Sequence, residues 1–83
     1  MKLVYFAWVR ERIGTSEEEV TPPAGVETVA DLIGWLSGRG EGYAAALAHP
    51  EVIRVAMDQE HVAHDTPLGG AREVALFPPM TGG

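Results

Sequence analysis

The residues best suited to chemistry lie at the end of the sequence, in Leu76-Phe77-Pro78-Pro79-Met80-Thr81-Gly82-Gly83. An apolar run enters two prolines, then small residues, and finishes on Gly82-Gly83. Residues 74–81 carry no charged side chain, so this segment can enter a dry channel without desolvating an ion. Pro78 and Pro79 lack an N–H and favour an extended backbone, which stops a strand and stiffens the residues after it. Residues 78–83 then reach about 20 Å. Gly82 and Gly83 have no Cβ, so another protein's backbone can close around them. Such a tail suits threading into an active site and attack at its last carbonyl. The bland alternative is a frayed end, but fraying does not require a stiff, uncharged and narrow segment.

Other constellations fall short. His61-x-x-His64-Asp65 has two imidazoles and an acid but no third spaced ligand, and solvated loop histidines account for it better than a metal site. Gly38-Arg39-Gly40-Glu41-Gly42 is glycine-rich but lacks the lysine and preceding strand of a phosphate loop. Ser16, Ser37 and the histidines form no nucleophile–base pattern. Glu17-Glu18-Glu19 reads as a solvated strand edge. No bound cofactor or metal is expected, and the chemistry is assigned to Gly83.

The totals limit the partners. Eighty-three residues with 46% hydrophobic content support one small globular domain. A net charge of −6 disfavours nucleic acid or an anionic membrane. The absence of cysteine removes disulfides, thiolate metal sites and a side-chain persulfide. The apolar stretch 3–9 is too short to span a bilayer and has no cleavage signal behind it, so a cytoplasmic location is expected.

The elements that must position the tail can be read from periodicity. Residues 2–10 read as a strand, with Leu3, Tyr5, Ala7 and Val9 inward and Val4, Phe6 and Trp8 outward. Residues 10–16 form a short helical turn or loop ending at Gly14, and residues 17–21 an edge strand. Thr28 caps a main helix over 28–39 whose stripe is Val29, Leu32, Ile33 and Leu36, with Asp31 completing a capping box. Residues 43–48 suggest a short second helix. Strands are expected over 52–57, 61–63 and 72–77, the last with Val74 and Leu76 inward and Ala75 and Phe77 outward. A crossover helix permits parallel pairing of the first and last strands. One helix covers one face, so Val4, Phe6, Trp8, Ala75 and Phe77 are expected to form an apolar patch beside the tail.

Two stretches resemble a known family. Tyr5-Phe6-Ala7, followed by Val9-Arg10-Glu11 and Gly14, is one; Glu73-Val74-Ala75-Leu76-Phe77-Pro78-Pro79 ending in Gly82-Gly83 is the other. They resemble the small subunit of molybdopterin synthase, a ubiquitin-like sulfur carrier. Asp58 stands where that family commonly has asparagine, and Gly69-Gly70-Ala71-Arg72 where it has an acidic turn.

The resemblance implies an α+β, ubiquitin-like β-grasp fold. Its mixed sheet would have four to five strands, one main helix and a short second helix, over residues 1–77, with a flexible tail over 78–83. It implies that Gly83 is adenylated by a ubiquitin-activating-like adenylyltransferase using ATP and converted to a thiocarboxylate by a sulfur donor. Pro78, Pro79, Met80, Thr81 and Gly82 would then thread into the large synthase subunit, which uses the sulfur to make molybdopterin. The chain is no enzyme alone, but the sulfur-carrying half of a two-subunit sulfurtransferase. Phe6, Trp8, Arg10, His61 and Phe77 are the expected interface with the large subunit. A sulfur carrier of thiamine synthesis, a modifier conjugated through Gly83, and a plain binding module remain open at this point; Phe77-Pro78-Pro79 favours the molybdopterin branch over the thiamine one.

Overall fold

The computed structural model describes residues 1–79. Strand β1 (Lys2–Tyr5) is followed by helix α1 (Ala7–Ile13) and strand β2 (Glu17–Glu19). Helix α2 (Val29–Ser37) and helix α3 (Glu41–Ala46) come next, then a 3-10 turn over Pro50–Val52. Strands β3 (Arg54–Met57), β4 (Glu60–Val62) and β5 (Glu73–Phe77) complete the described chain. The sheet order is β2-β1-β5-β3-β4. The expected parallel pairing is present: β1 and β5 run side by side in register Lys2↔Glu73 to Tyr5↔Leu76. The other neighbours are antiparallel, so the sheet is mixed.

The first strand is shorter than its composition suggests. It stops at Tyr5, and Ala7 takes a left-handed φ of 52°, which breaks the extended run. Helix α1 then extends to Gly14, whose φ of 95° suits glycine and whose N–H donates to the Arg10 carbonyl. Arg10 and Arg12 lie in the last turn, where cations favour the helix dipole. Val9 is fully buried and Ile13, four residues on, packs against the same core. Trp8 and Arg10 are therefore helical, and the strand expected over residues 2–10 is corrected to a strand and a helix. The expected count of two helices rises to three among the described residues.

Helix α2 forms as its spacing requires. Thr28 Oγ1 accepts from the Asp31 N–H at 3.2 Å, while Asp31 Oδ2 accepts from Thr28 N at 3.2 Å and Glu27 N at 3.1 Å. The first-turn N–H groups of Val29 and Ala30 donate to the carbonyls of Thr66 and His64, which ties the 64–68 loop to the helix start. Val29, Leu32, Ile33 and Leu36 are all buried. They pack with Leu3, Tyr5, Val55, Val74 and Leu76 in one core.

Helix α3 starts two residues earlier than its apolar spacing suggests, and it runs very close to α1. A Cβ on Gly42 would lie 2.5 Å from the Arg12 carbonyl oxygen, a distance only glycine avoids. Val52, expected in β3, belongs to the 3-10 turn. Asp58 and Gln59 close the β3–β4 hairpin with φ of 50° and 71°, two left-handed residues in a row. Asp58 offsets this unfavourable geometry: Oδ1 accepts from the N–H groups of Arg72 and Glu73, each at 3.0 Å, and so anchors the start of β5.

Candidate functional site

The site grows from β5. Val74 and Leu76 point into the core with no exposure, so Ala75 and Phe77 face the other side. Val4 of β1 and Ala56 of β3 flank Ala75, and Arg54 lies opposite Phe77. Helix α2 lies on the reverse of the sheet, against the face that carries Leu3, Val55, Val74 and Leu76.

At the tail end of this open face an aromatic group assembles. The Phe6 and Phe77 rings meet edge-to-face at 6.4 Å, and His61 meets Phe77 edge-to-face at 5.4 Å. Phe6 is 48% exposed although its backbone is held: its N–H donates to Leu76 O, and its carbonyl accepts from Val9 and Arg10. Strand β5 stops at Phe77, and Pro78 and Pro79 follow it partly exposed. Met80, Thr81, Gly82 and Gly83 lie outside the described residues.

Of the expected interface residues, Phe6, His61 and Phe77 thus come together. Trp8 does not share their face, because alternation ends with the strand. It packs partly against the core under the Arg12 guanidinium, 4.4 Å from the ring centroid, and Arg10 is exposed on the same helix. His64 is also accounted for. Its Nε2 lies 2.8 Å from the Ile53 carbonyl, so that nitrogen carries a proton and donates rather than offering a lone pair. Among the described residues no group of three His, Cys, Asp or Glu side chains is placed to hold a metal ion.

Glu18 departs from the solvated edge expected of it. It lies opposite Leu3 and turns toward the helices. Its Oε2 accepts from Tyr5 Oη at 2.7 Å and Tyr43 Oη at 2.6 Å, and its Oε1 accepts from Arg39 Nη1 at 3.1 Å. Burial pushes its carboxyl up, but the hydrogen bonds from Tyr43, Tyr5 and Arg39 outweigh this and hold it below the ordinary glutamate value. Burial pushes the Tyr5 hydroxyl up, and its bond to Glu18 adds to the shift. This network ties β2, β1 and α3 together on the face opposite the aromatic group. The signal for it was the even position of Glu18 between Glu17 and Glu19, the parity that points inward.

A mixed five-stranded sheet with parallel central strands, packed on one face by a crossing helix, defines an α+β protein of the ubiquitin-like β-grasp class. The ThiS family model matches residues 3–83, and the chain belongs to that family. It is 39% identical over 83 residues to the molybdopterin synthase sulfur carrier subunit of Escherichia coli strain K12, covering 100% of this chain and 99% of that one. SAMP1 from Haloferax volcanii superposes with a TM-score of 0.72 at 28% identity, over 100% of this chain and 98% of the other. A candidate molybdopterin converting factor subunit 1 from Pyrococcus furiosus gives 0.73 at 27% identity, over 95% of each. The family resemblance and the β-grasp fold read from the sequence are both borne out.

Proposed function

We propose that this chain is a sulfur carrier of molybdenum cofactor biosynthesis and that the Gly83 carboxylate is its reacting group. The observation that carries the reading is the placement of Phe77. It is the last residue of a central strand, the centre of the exposed aromatic group, and the residue from which Pro78-Pro79 departs. A partner that docks on Phe6, His61 and Phe77 receives the tail at a fixed origin, with about 20 Å of reach beyond it. Full-length similarity to a molybdopterin synthase sulfur carrier subunit supports the choice of pathway.

The chemistry rests on the weakness of a carboxylate as an electrophile. Gly83 attacks the α-phosphorus of ATP on an activating enzyme, and pyrophosphate leaves. The resulting acyl adenylate is attacked at its carbonyl carbon by a sulfur nucleophile from a donor, and AMP leaves. The terminal thiocarboxylate then enters the large synthase subunit, where its sulfur passes to the pterin precursor. This chain supplies the fold, the docking surface and the sulfur-bearing carbon. A cytoplasmic setting with that adenylyltransferase, sulfur donor and large subunit completes the reading.

The test is the intact mass of the protein isolated from its own cell, joined to a pyrophosphate-release assay with the activating enzyme. A mass gain equal to exchange of one oxygen for sulfur is expected. A variant extended by one residue past Gly83 should release no pyrophosphate, because its reacting carbonyl is locked in a peptide bond. Full activity of that variant without trimming would overturn the reading. Likeness to SAMP1 favours one second reading, a protein modifier joined to lysines through Gly83, for which high-mass adducts replace the sulfur exchange.

A further inference from the structure

We infer that Arg54 is a specificity determinant of the docking face, taking a carboxylate side chain of the large synthase subunit beside Phe77. This rests on the carrier reading above. Three observations carry it. First, Arg54 sits opposite Phe77 in the β3–β5 register, on the open face, so a partner that covers Phe77 also covers the guanidinium. Second, Arg54 has no ionic partner among the described residues, in a chain with twice as many acids as Lys and Arg. Lys2 lies against Glu17, Arg39 against Glu18, and Arg12 over Trp8; Arg10 and Arg72 also lack an ionic partner among the described residues, but neither lies opposite Phe77 in the sheet. Third, Arg54 and His61 border a cleft of about 340 Å³ at the β3–β4 edge that also holds Glu51 and His64. Glu51 is turned to His49 Nδ1 at 3.5 Å, and His64 to the Ile53 carbonyl, so neither occupies the guanidinium.

A buried, unpaired guanidinium at an interface is costly, and a carboxylate that meets its planar fork removes that cost. The occupant is therefore an acidic side chain. The rest of the sheet face explains why the contact also orients the partner. At the other end of the same strands Lys2, Arg72 and the Met1 ammonium already stand among Glu17, Glu19, Glu73 and Asp58, so a carboxylate is favoured less there than at the Phe77 end.

Calorimetric titration of the full chain with the large synthase subunit tests this. Arg54→Gln should weaken binding about tenfold or more, and its affinity should depend less on salt than that of the unmodified chain. Arg54→Lys should recover part of the loss, since an ammonium keeps the charge but not the fork. Arg72→Gln removes the same charge at the opposite end of β5 and should change affinity less than about twofold. Equal affinity for Arg54→Gln and the unmodified chain overturns the inference, and so does an equal loss in Arg72→Gln, which would indicate a general field. Tighter binding by Arg54→Gln also overturns it, since the guanidinium would then oppose the partner instead of meeting an acid on it. If the unmodified chain does not bind the large subunit, the carrier reading falls with it. Binding that ignores Arg54 leaves the carrier reading intact.

Discussion

Val74 and Leu76 of β5 have no exposure, whereas Glu73, Ala75 and Phe77, their neighbours in sequence, are only partly covered. The two faces of one strand thus serve opposite ends. The inner face is closed by α2 and joined at its edge by the Glu18 network, and among the described residues no buried side-chain polar atom is left without a hydrogen-bond partner. The outer face keeps an aromatic group and an arginine, which we assign to partner recognition. If recognition lies on the outer face as proposed, substitutions on the two faces should move different measurements.

The largest effect on stability belongs to the inner face. Leu32→Ala should lower the unfolding free energy by about 2–5 kcal/mol in a denaturant titration, because it empties a fully buried site. A loss no greater than about 0.5 kcal/mol, typical of exposed sites, would erase the distinction between the faces.

Glu18→Ala comes next, at about 1.5–3 kcal/mol, since it leaves the buried Tyr5 hydroxyl and Arg39 without their charged acceptor. The same carboxylate has a pH signature. Its folded pKa lies below the ordinary 4.5, so its stabilisation is present above that value and is lost as pH falls through the folded pKa. Glu18→Gln should flatten the acid limb of the stability profile. Part of the limb should survive, because Asp31 is held low by the N–H groups of Glu27 and Thr28. An acid limb unchanged in Glu18→Gln would show that the network contributes nothing to it.

Gly42→Ala sets two effects against each other. The new Cβ would press on the Arg12 carbonyl, and such overpacking costs about 1–3 kcal/mol. Alanine gains up to about 1 kcal/mol in helix propensity over glycine. A net loss of about 1 kcal/mol by thermal or chemical unfolding is expected. A gain would mean that α3 moves away from α1 freely.

The smallest change in stability should come from Phe6→Ala on the outer face, about 0.5 kcal/mol, since its ring is nearly half exposed. Its affinity for the large subunit should nonetheless fall about tenfold, as for a truncated aromatic anchor. A variant that loses stability but keeps affinity would reverse the assignment of the two faces.

Most of the inner face was legible from spacing alone. The i, i+3, i+4, i+7 stripe of α2, its capping box and the alternation of β5 each carry a period that burial reinforces. The β1–α1 junction was not. The aromatic and β-branched residues over 4–9 favour a strand, and the competing signals were weaker. Those were the i, i+4 pairs Trp8–Arg12 and Val9–Ile13 and the stop at Gly14. A backbone break at Ala7 has no side-chain signature, so alternation alone puts Trp8 on the wrong surface. Glu18 was hidden for another reason. Its identity spoke for solvent, and only the tertiary approach of Tyr43 and Arg39 made an inward carboxylate favourable. Phe6 and Phe77 could be paired because the parallel β1–β5 register that sets Val4 beside Ala75 carries the same face on to Phe6 and Phe77 two residues later.

The parallel contact between β1 and β5 also sets an order of events during synthesis. Lys2 pairs with Glu73, so residues of β1, translated about seventy positions earlier, wait for β5 before their central neighbour exists. Until residues 73–77 leave the ribosome, β1 and β3 have a gap between them where the middle of the sheet belongs. The nascent chain therefore cannot close its core piecemeal, and a product cut short before β5 presents unpaired strands to chaperones and proteases instead of a folded domain. Completion of the fold thus waits for the strand from which Pro78 and Pro79 depart, so the origin of the tail is fixed only when the sheet itself is complete.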